Sequence, residues 1–472
     1  MDPAPAEPFA EEEYPQGAYG GARPSPPDLL APPDAAFDGR GEMAPPRAAE
    51  PAAQELEILA AVQSQAGFME DLLVALIDAP TLLGNEGPGQ DLMRYTFGGL
   101  GLQPVDVPMD ADALRAHPGS APFDWDVRGK SNVVATWQPA EPRDGRSLIL
   151  NGHVDVVSPE PLAGWTKPPF MAVRDEDWIY GRGAADMKCG LAAIAGAVRG
   201  LRALGVRPRA PVHLESVVEE ECSGNGTLSC VMAGYTADAG IVAEPFGAAI
   251  TVSQVGVLWF HVVCRGVPVH AAEERRGINA IEKSFEVMQA LRGLEAELNL
   301  APPPPYERFS HPINLNVGAI KGGDWASTVP GECVTSYRIA LYPGMKVRDL
   351  QDRIEAVVAE AAVEDPAIFE NPPEVRYSGF TSEGYDIPDD HPMVQTLAGA
   401  FARQSGQPPA LVATTGTTDA GILARFGDTP SVCFGPYAEQ AHAADERVWF
   451  PSVVQTAQVM ALFIRDWCGL SS

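Results

Sequence analysis

The stretch SLILNGHVDVV (Ser147–Val157) joins an apolar run to a pair of polar residues suited to a functional site. The run Leu148–Leu150 is typical of a strand that is buried on both faces of a sheet. His153 and Asp155 follow it two residues apart, and on a strand such residues point to the same face. Open α/β sheets assemble their sites at the carboxyl ends of strands. The stretch therefore predicts a central strand of an α/β sheet with a site at its end.

Four further segments place an acid or a histidine at or just beyond an apolar run. They read GRGAADMK (Gly181–Lys188), VVEEECSGNG (Val217–Gly226), IVAEP (Ile241–Pro245) and QAHAADERV (Gln440–Val448). Short apolar runs alternate with helical patterns, the clearest of which cover Gln54–Ile77, Cys189–Leu204 and Pro392–Gln404. Such alternation predicts an α/β fold in which a mostly parallel sheet carries helices on both faces.

The pattern changes between residues 255 and 379. Four strand-like segments and two helical ones follow in the order β-α-β-β-α-β, at Val257–Gly266, Asn279–Leu298, Ile313–Gly323, Cys333–Pro343, Val347–Ala362 and Glu374–Phe380. This order is that of a ferredoxin-like layer, one sheet covered by two helices. We therefore predict a first domain made of residues 55–254 and 380–472, and an inserted ferredoxin-like α+β domain at residues 255–379.

Residues 1–54 are rich in proline, alanine and acidic residues and show little periodic apolar pattern. Such a segment cannot bury enough apolar surface to offset its ordering entropy. We predict a disordered tail, and Met43 is a possible alternative start.

The chain is strongly acidic, with 63 acidic and 33 basic residues and a net charge of −30. This charge argues against nucleic acid and anionic membranes as partners, since phosphate binding needs clustered lysine and arginine. The seven cysteines are scattered and contain no CxxC pair, which indicates reduced thiols in a cytosolic protein. The N-terminus lacks the features of a signal peptide, and no apolar run reaches about 18 residues. We therefore expect a cytoplasmic protein that does not span a membrane.

Acids and histidines of the five segments form a donor set suited to divalent metal ions. Asp186 lies near Gly181 and Gly183, which permit tight turns, and just before a helix N-terminus, which favours an ionised carboxylate. The adjacent carboxylates Glu219–Glu221 repel one another, and a metal offsets that repulsion while a neighbouring acid polarises a water molecule. A mixed nitrogen and oxygen set suits zinc, cobalt or manganese, and one shared carboxylate allows two ions about 3.5 Å apart.

Over most of Gln54–Cys468 the chain resembles the M20 metallohydrolases, which include acetylornithine deacetylase, succinyl-diaminopimelate desuccinylase, aminoacylase-1 and glutamate carboxypeptidases. The resemblance is carried by GHVDVV, by W-x-x-x-PF at Trp165–Phe170, by YGRGAADMK, by the EEE and AEP segments and by the late histidine. It implies two divalent metal ions, zinc first, held by His153, Asp186, Glu221, Glu244 and His442. His153 and Glu244 would bind one ion, Glu221 and His442 the other, and Asp186 would bridge them.

The same resemblance implies that Glu220 is the general base and that Asp155 orients His153. The family's motif is usually Asp-Glu-Glu, so Glu219 takes the Asp position without a direct role. A shift of one residue, with Glu219 as base and Glu220 as ligand, stays open.

The inserted segment resembles the family's lid and dimerisation domain, which implies a homodimer. His270 in GVPVH (Gly266–His270) would help to stabilise the oxyanion, from the partner subunit. Arg338 matches a position that binds a substrate carboxylate, and Asn316 is a weaker candidate for the same pocket. Gly416 and Thr417 of TGTTDAG would offer backbone donors to the substrate.

These features predict an enzyme that hydrolyses the amide of an N-acyl amino acid, similar to acetylornithine deacetylase or the desuccinylases. The segment GTTDAGI lacks the arginine that the family's desuccinylases commonly carry there, which argues against diaminopimelate as the substrate. The alternatives are a dipeptidase or carboxypeptidase on the same scaffold and, from a different class, a non-catalytic binding relative.

Overall fold

The computed structural model describes residues 53–141, 143–364 and 371–471. In chain order the helices are α1 (Ala53–Gln63), α2 (Ala66–Asp78), α3 (Gly87–Gly99), α4 (Ala111–Ala116), α5 (Lys188–Ala203), α6 (Asn225–Met232), α7 (Ala280–Leu298), α8 (Val347–Glu364), α9 (Pro392–Ser405), α10 (Ala420–Phe426) and α11 (Phe450–Cys468). Short 3-10 helices cover Leu162–Gly164, Ala271–Arg276 and Tyr306–Arg308. The predicted disordered tail lies outside the described residues, except that residues 53 and 54 begin α1.

The strands lie between these helices and form several sheets. They are β1 (Pro104–Pro108), β2 (Ser131–Trp137), β3 (Leu148–His153), β4 (Val173–Asp175), β5 (Trp178–Tyr180), β6 (Arg207–Pro208), β7 (Val212–Val217), β8 (Gly240–Val242), β9 (Ala249–Gln254), β10 (Gly256–Arg265), β11 (Leu315–Gly322), β12 (Glu332–Leu341), β13 (Glu374–Ser382), β14 (Tyr385–Asp386), β15 (Ala410–Thr414), β16 (Ser431–Cys433), β17 (Ala438–Glu439), β18 (Arg447–Trp449) and β19 (Leu470–Ser471).

The largest sheet of the described residues has the strand order β1-β2-β7-β3-β8-β16-β9-β14, with β15 also paired to β9. Its centre is parallel, because β3 pairs in parallel with β7 and β8, and β8 with β16. Strands β1, β2 and β14 add antiparallel edges. All six residues of β3 are buried, as the apolar run predicts.

Helices cover both faces of this sheet. Asn151 on β3 donates to Thr227 of α6 at 3.0 Å. A side chain on the next residue, Gly152, would instead meet Leu191 of α5 at 3.0 Å. Successive strand residues point to opposite faces, so α6 and α5 lie on opposite faces of the sheet. The predicted α/β architecture is confirmed.

A second sheet has the order β11-β12-β10-β13, and all of its pairings are antiparallel. Helices α7 and α8 pack with it around a separate apolar cluster that includes Phe260, Leu291, Ile339 and Ile354. The order β10-α7-β11-β12-α8-β13 confirms the ferredoxin-like layer. The domain boundaries drawn at residues 255 and 379 stay a prediction.

The first helix differs from its prediction, because the pattern over Gln54–Ile77 is divided into α1 and α2. Ser64 Oγ and Gln65 Nε2 both donate to the carbonyl of Ala61, at 2.7 and 3.2 Å. Polar side chains of this kind compete for backbone partners and end a helix, while the apolar period continues past the break.

Within the described residues, no helix combines the length and the apolar character needed to cross a membrane. All seven cysteines are free and buried.

Candidate metal centre

The predicted site residues meet at the carboxyl ends of the parallel strands. His153 is the last residue of β3, Glu220 and Glu221 follow β7, and Glu244 lies two residues beyond β8. These three strands are neighbours in the sheet, so their ends converge on one edge. His153 Nε2 lies 3.7 Å from Glu244 Oε1 and 3.9 Å from Glu220 Oε2.

Asp186 lies between the two histidines and faces each with a different oxygen. Its Oδ1 is 3.1 Å from His153 Nε2, and its Oδ2 is 3.3 Å from His442 Nε2. His442 Nε2 also lies 3.0 Å from Glu221 Oε2. His153 is fully buried whereas the His442 side chain is 53% exposed, so the cluster opens to solvent on the His442 side.

The spacing of these donors fits a metal centre. Ligand atoms of His153, Asp186 and Glu221 lie within 4.8 Å of one another. Donors around one tetrahedral ion, with bonds of about 2.1 Å, are separated by about 3.4 Å. The distances from Asp186 to both imidazoles agree with that separation.

The electrostatics of the cluster also fit a cation. Burial raises the pKa values of Glu220 and Glu244 well above normal, and neighbouring carboxylates add to the effect. Hydrogen bonds to Asp186 and Glu221 raise the pKa of His442 to about 11. The carboxylates thus repel one another and draw protons onto the imidazoles, and bound cations would take the place of those protons.

Glu219 points away from this cluster into a buried ion-pair network. Its Oε1 accepts from Lys130 Nζ at 2.6 Å and from Trp125 Nε1 at 2.9 Å, and its Oε2 accepts from Ser223 Oγ at 3.1 Å. Lys130 also contacts Glu86 at 2.8 Å. Burial alone would lower the pKa of Lys130. The hydrogen bonds to Glu219 and Glu86 outweigh this effect, so the pKa is raised. This geometry favours Glu220 and Glu221, not Glu219, as the residues that face the histidines.

Asp155 contacts both His153 and the turn at Glu219–Glu221, which is called the glutamate turn below. The near partner of His153 Nδ1 is the backbone carbonyl of Asp155 at 2.9 Å, while the Asp155 carboxylate is 3.7 Å away. That carboxylate accepts from the backbone N–H groups of Glu220 at 3.3 Å and Glu221 at 3.0 Å. Burial raises the pKa of Asp155 to about 7, against the opposing charge of His153.

Glu446 is a site residue that the sequence reasoning missed. Its Oε1 accepts from the backbone N–H groups of Ala185 at 2.8 Å and Asp186 at 3.0 Å, and its Oε2 pairs with Arg182 at 2.5 Å. Glu446 and Arg182 are almost completely buried. The acid thus holds the backbone on which Asp186 is presented. The available signal was an acid four residues after His442 in QAHAADERV.

We expect Glu446→Gln to weaken metal binding about 10- to 100-fold, because an amide can turn its N–H₂ toward the donors of Ala185 and Asp186. Metal titration by calorimetry measures the affinity. Glu439→Gln serves as the control, because it makes the same chemical change shortly before His442 in the chain. Unchanged affinity in Glu446→Gln would show that Asp186 is held by other contacts.

The predicted substrate residues meet where the inserted sheet faces the loop after β15. Asn316 on β11 pairs with Arg338 on β12. Arg338 Nη2 lies 3.5 Å from the carbonyl of Thr415, and burial lowers the pKa of Arg338. Thr417 Oγ1 donates to the carbonyl of Val255 at 2.8 Å, and Gly416 N donates to Thr414 Oγ1 at 3.0 Å. Within the described residues, Arg338 has no carboxylate partner, which leaves its guanidinium available to an anion.

His270 lies apart from the metal cluster. It is exposed at the start of the 3-10 helix Ala271–Arg276, and its Nδ1 accepts from the backbone N–H of Ala272 at 3.1 Å. No hydrogen bond or ion pair of the described residues joins it to the residues around His153. Its predicted part in the reaction stays a prediction.

Comparison with known proteins agrees with this geometry. The sequence profile of peptidase family M20/M25/M40 matches residues 149–466. The chain is 32% identical over 367 residues to an N-formyl-4-amino-5-aminomethyl-2-methylpyrimidine deformylase of Halalkalibacterium halodurans, covering 73% of this chain and 85% of that protein. It is also 32% identical over 346 residues to a succinyl-diaminopimelate desuccinylase of Paracoccus denitrificans, covering 71% and 86%.

The fold is similar to that of the di-peptidase Dug1p of Saccharomyces cerevisiae, with a TM-score of 0.71 and 15% identity over 88% of this chain and 98% of that one. At this identity the likeness concerns the fold alone.

Proposed function

Because this chain belongs to the peptidase family M20/M25/M40 and is a metal-dependent hydrolase of amide or peptide bonds, we propose that it removes the acyl group from a small N-acyl amino acid. The observation that carries the proposal is the Asp186 carboxylate, which turns one oxygen to each of two imidazoles beside Glu220.

Two divalent ions, zinc in the first instance and cobalt or manganese as alternatives, fit this donor set. His153 and Glu244 would hold one ion, Glu221 and His442 the other, and Asp186 would contact both. When bound, such ions act as Lewis acids that activate water and polarise a carbonyl.

Glu220 is the residue we propose as general base. It would take a proton from the attacking water and pass it to the leaving amine, as a buried carboxyl with a raised pKa can do. Asp155 would keep Glu220 in place through the backbone of the glutamate turn.

The Arg338 guanidinium would bind the free carboxylate of the substrate, with Asn316 and the Gly416–Thr417 loop beside it. A partly buried arginine that has no carboxylate partner among the described residues is suited to a two-pronged contact with a carboxylate. His270, exposed and apart from the metal cluster, would reach the site of a second copy in a cytoplasmic homodimer and hold the oxyanion there.

Two other substrate classes have specific support. The similarity to a deformylase favours N-formyl amines, and membership of a peptidase family favours dipeptides. A panel of N-acetyl, N-succinyl and N-formyl amino acids, an N-formyl aminomethylpyrimidine and dipeptides, tested with zinc- and cobalt-loaded enzyme, separates the three. The proposal requires the highest kcat/KM on an N-acyl amino acid and fails if a dipeptide or the pyrimidine exceeds it.

We expect Arg338→Ala to raise KM for the N-acyl amino acid about 10- to 100-fold, with kcat changed far less, because the guanidinium binds a group remote from the reacting bond. The steady-state kinetics of the acid are compared with those of its carboxamide. The variant and the wild type should hydrolyse the carboxamide equally, and an equal loss on the acid and the carboxamide would refute the role.

A further inference from the structure

Trp259 lies in a row of side chains that crosses the inserted sheet. Asn316 on β11 pairs with Arg338 on β12, and Arg338 pairs with Trp259 on β10. Directly opposed residues share one face of a sheet, with Cβ atoms about 4.5–5.5 Å apart. The two side chains therefore leave the sheet on the same face, the one turned away from α7 and α8, and the indole lies over Gly379 on β13.

The indole is not part of an apolar core. Its neighbours Leu258 and Phe260 belong to the cluster under α7 and α8, whereas Trp259 is partly exposed and belongs to none of the three apolar clusters of the described residues. A tryptophan used only for packing would be expected in such a cluster.

The backbone opposite Trp259 is shaped around its ring. The β10–β13 pairing shifts register between Leu258 and Phe260, so β13 bulges across from Trp259. Gly379 occupies this bulge at φ +93°, and a Cβ there would lie 2.4 Å from Trp259 Cε3. Only glycine permits so close an approach at this backbone angle. Bulges of this kind often aim side chains beside active sites.

The bulge is also hydrogen-bonded to a loop that contacts the glutamate turn. Gly379 N donates to the carbonyl of Pro122 at 2.6 Å. Three residues further on, Trp125 bonds to Glu219 at the start of the turn that carries Glu220. On the other side of the row, Arg338 contacts Thr415. The row thus contacts two loops of the first domain, the one at Pro122–Trp125, which reaches Glu219, and the one after β15.

We infer that Trp259 forms the pocket for the side chain of the substrate's amino acid and selects N-acyl amino acids with an aromatic side chain; this rests on the proposed function, in which Arg338 binds the carboxylate. A carboxylate held by Arg338 places the adjacent Cα substituent within reach of the indole. A flat apolar ring gains contact with the indole face. A cationic side chain such as that of ornithine would be repelled by Arg338.

The test compares N-acetylphenylalanine, N-acetylornithine and N-acetylglycine as substrates of the full chain loaded with zinc. We expect the phenylalanine compound to have a kcat/KM at least about tenfold above the other two. Trp259→Ala should remove this advantage through KM and leave N-acetylglycine within about twofold, because glycine has no side chain to lose. Trp259→Phe should keep most of the preference.

Two more variants separate the pocket from general damage. Gly379→Ala should reproduce the selective loss, since its methyl displaces the indole. His261→Ala, on the same face but outside the row, should leave the preference unchanged. A wild type that favours ornithine or glycine overturns the inference, as does an equal loss on all three substrates in Trp259→Ala. If the wild type hydrolyses none of them, the proposed function falls as well, whereas hydrolysis without aromatic preference removes the inference alone.

Discussion

Glu220→Gln is expected to leave the metal content unchanged and to lower kcat by a factor of about 10² to 10⁴, the range that a positioned general base contributes. Glutamine keeps the volume of the side chain but cannot take a proton from water. The side chain faces the cluster at 3.9 Å from His153 Nε2, close enough to act there without being the nearest donor. Steady-state kinetics with metal analysis by mass spectrometry measures both quantities.

Glu219→Gln is the matched control for this prediction. Its carboxylate is buried against Lys130 and Trp125, so the change should lower the melting temperature and leave turnover within about tenfold. If Glu219→Gln abolishes turnover and Glu220→Gln loses a metal ion, the assignment shifted by one residue is correct.

Asp186→Asn is expected to have the largest effect on metal binding, with loss of both ions and of detectable hydrolysis. The two oxygens of Asp186 face His153 and His442 separately, and an amide presents one weaker acceptor and an N–H₂ group in their place. Metal stoichiometry after dialysis should fall from two ions per chain toward none.

Glu244→Gln provides the comparison for Asp186→Asn. Glu244 contacts His153 and is not paired with His442, so its removal should cost one ion and leave the other bound. Two ions retained in Asp186→Asn, or equal losses in both variants, would show that Asp186 does not bridge.

The elements of the fold followed closely from local sequence because their signals are local. The apolar run of β3 and the periodic pattern of α5 specify a strand and a helix without reference to distant residues. The break between α1 and α2 was missed because two polar side chains ended a helix whose apolar period continued. The meeting of the candidate ligands could be predicted where a histidine or an acid stands at or just beyond the end of a strand, as at His153 and Glu244.

Residues that act through distant partners left no comparable signal. Glu446 meets the backbone of Asp186 from 260 positions away, and Lys130 meets Glu219 from 89 positions away. Adjacent glutamates in one run look alike in sequence, and only their directions in space separate Glu219 from Glu220.

The sequence by itself therefore determined the α/β and ferredoxin-like layers and the family, and it predicted the donor set, because these depend on residue type and short-range order. The tertiary structure alone decided which glutamate faces the histidines, which acid holds Asp186, and that Trp259 shares a sheet face with Arg338 and lies over Gly379. The reason is physical. Hydrogen bonds, ion pairs and close approach depend on distances of a few ångströms, and those distances are set only when strands far apart in the chain are brought side by side.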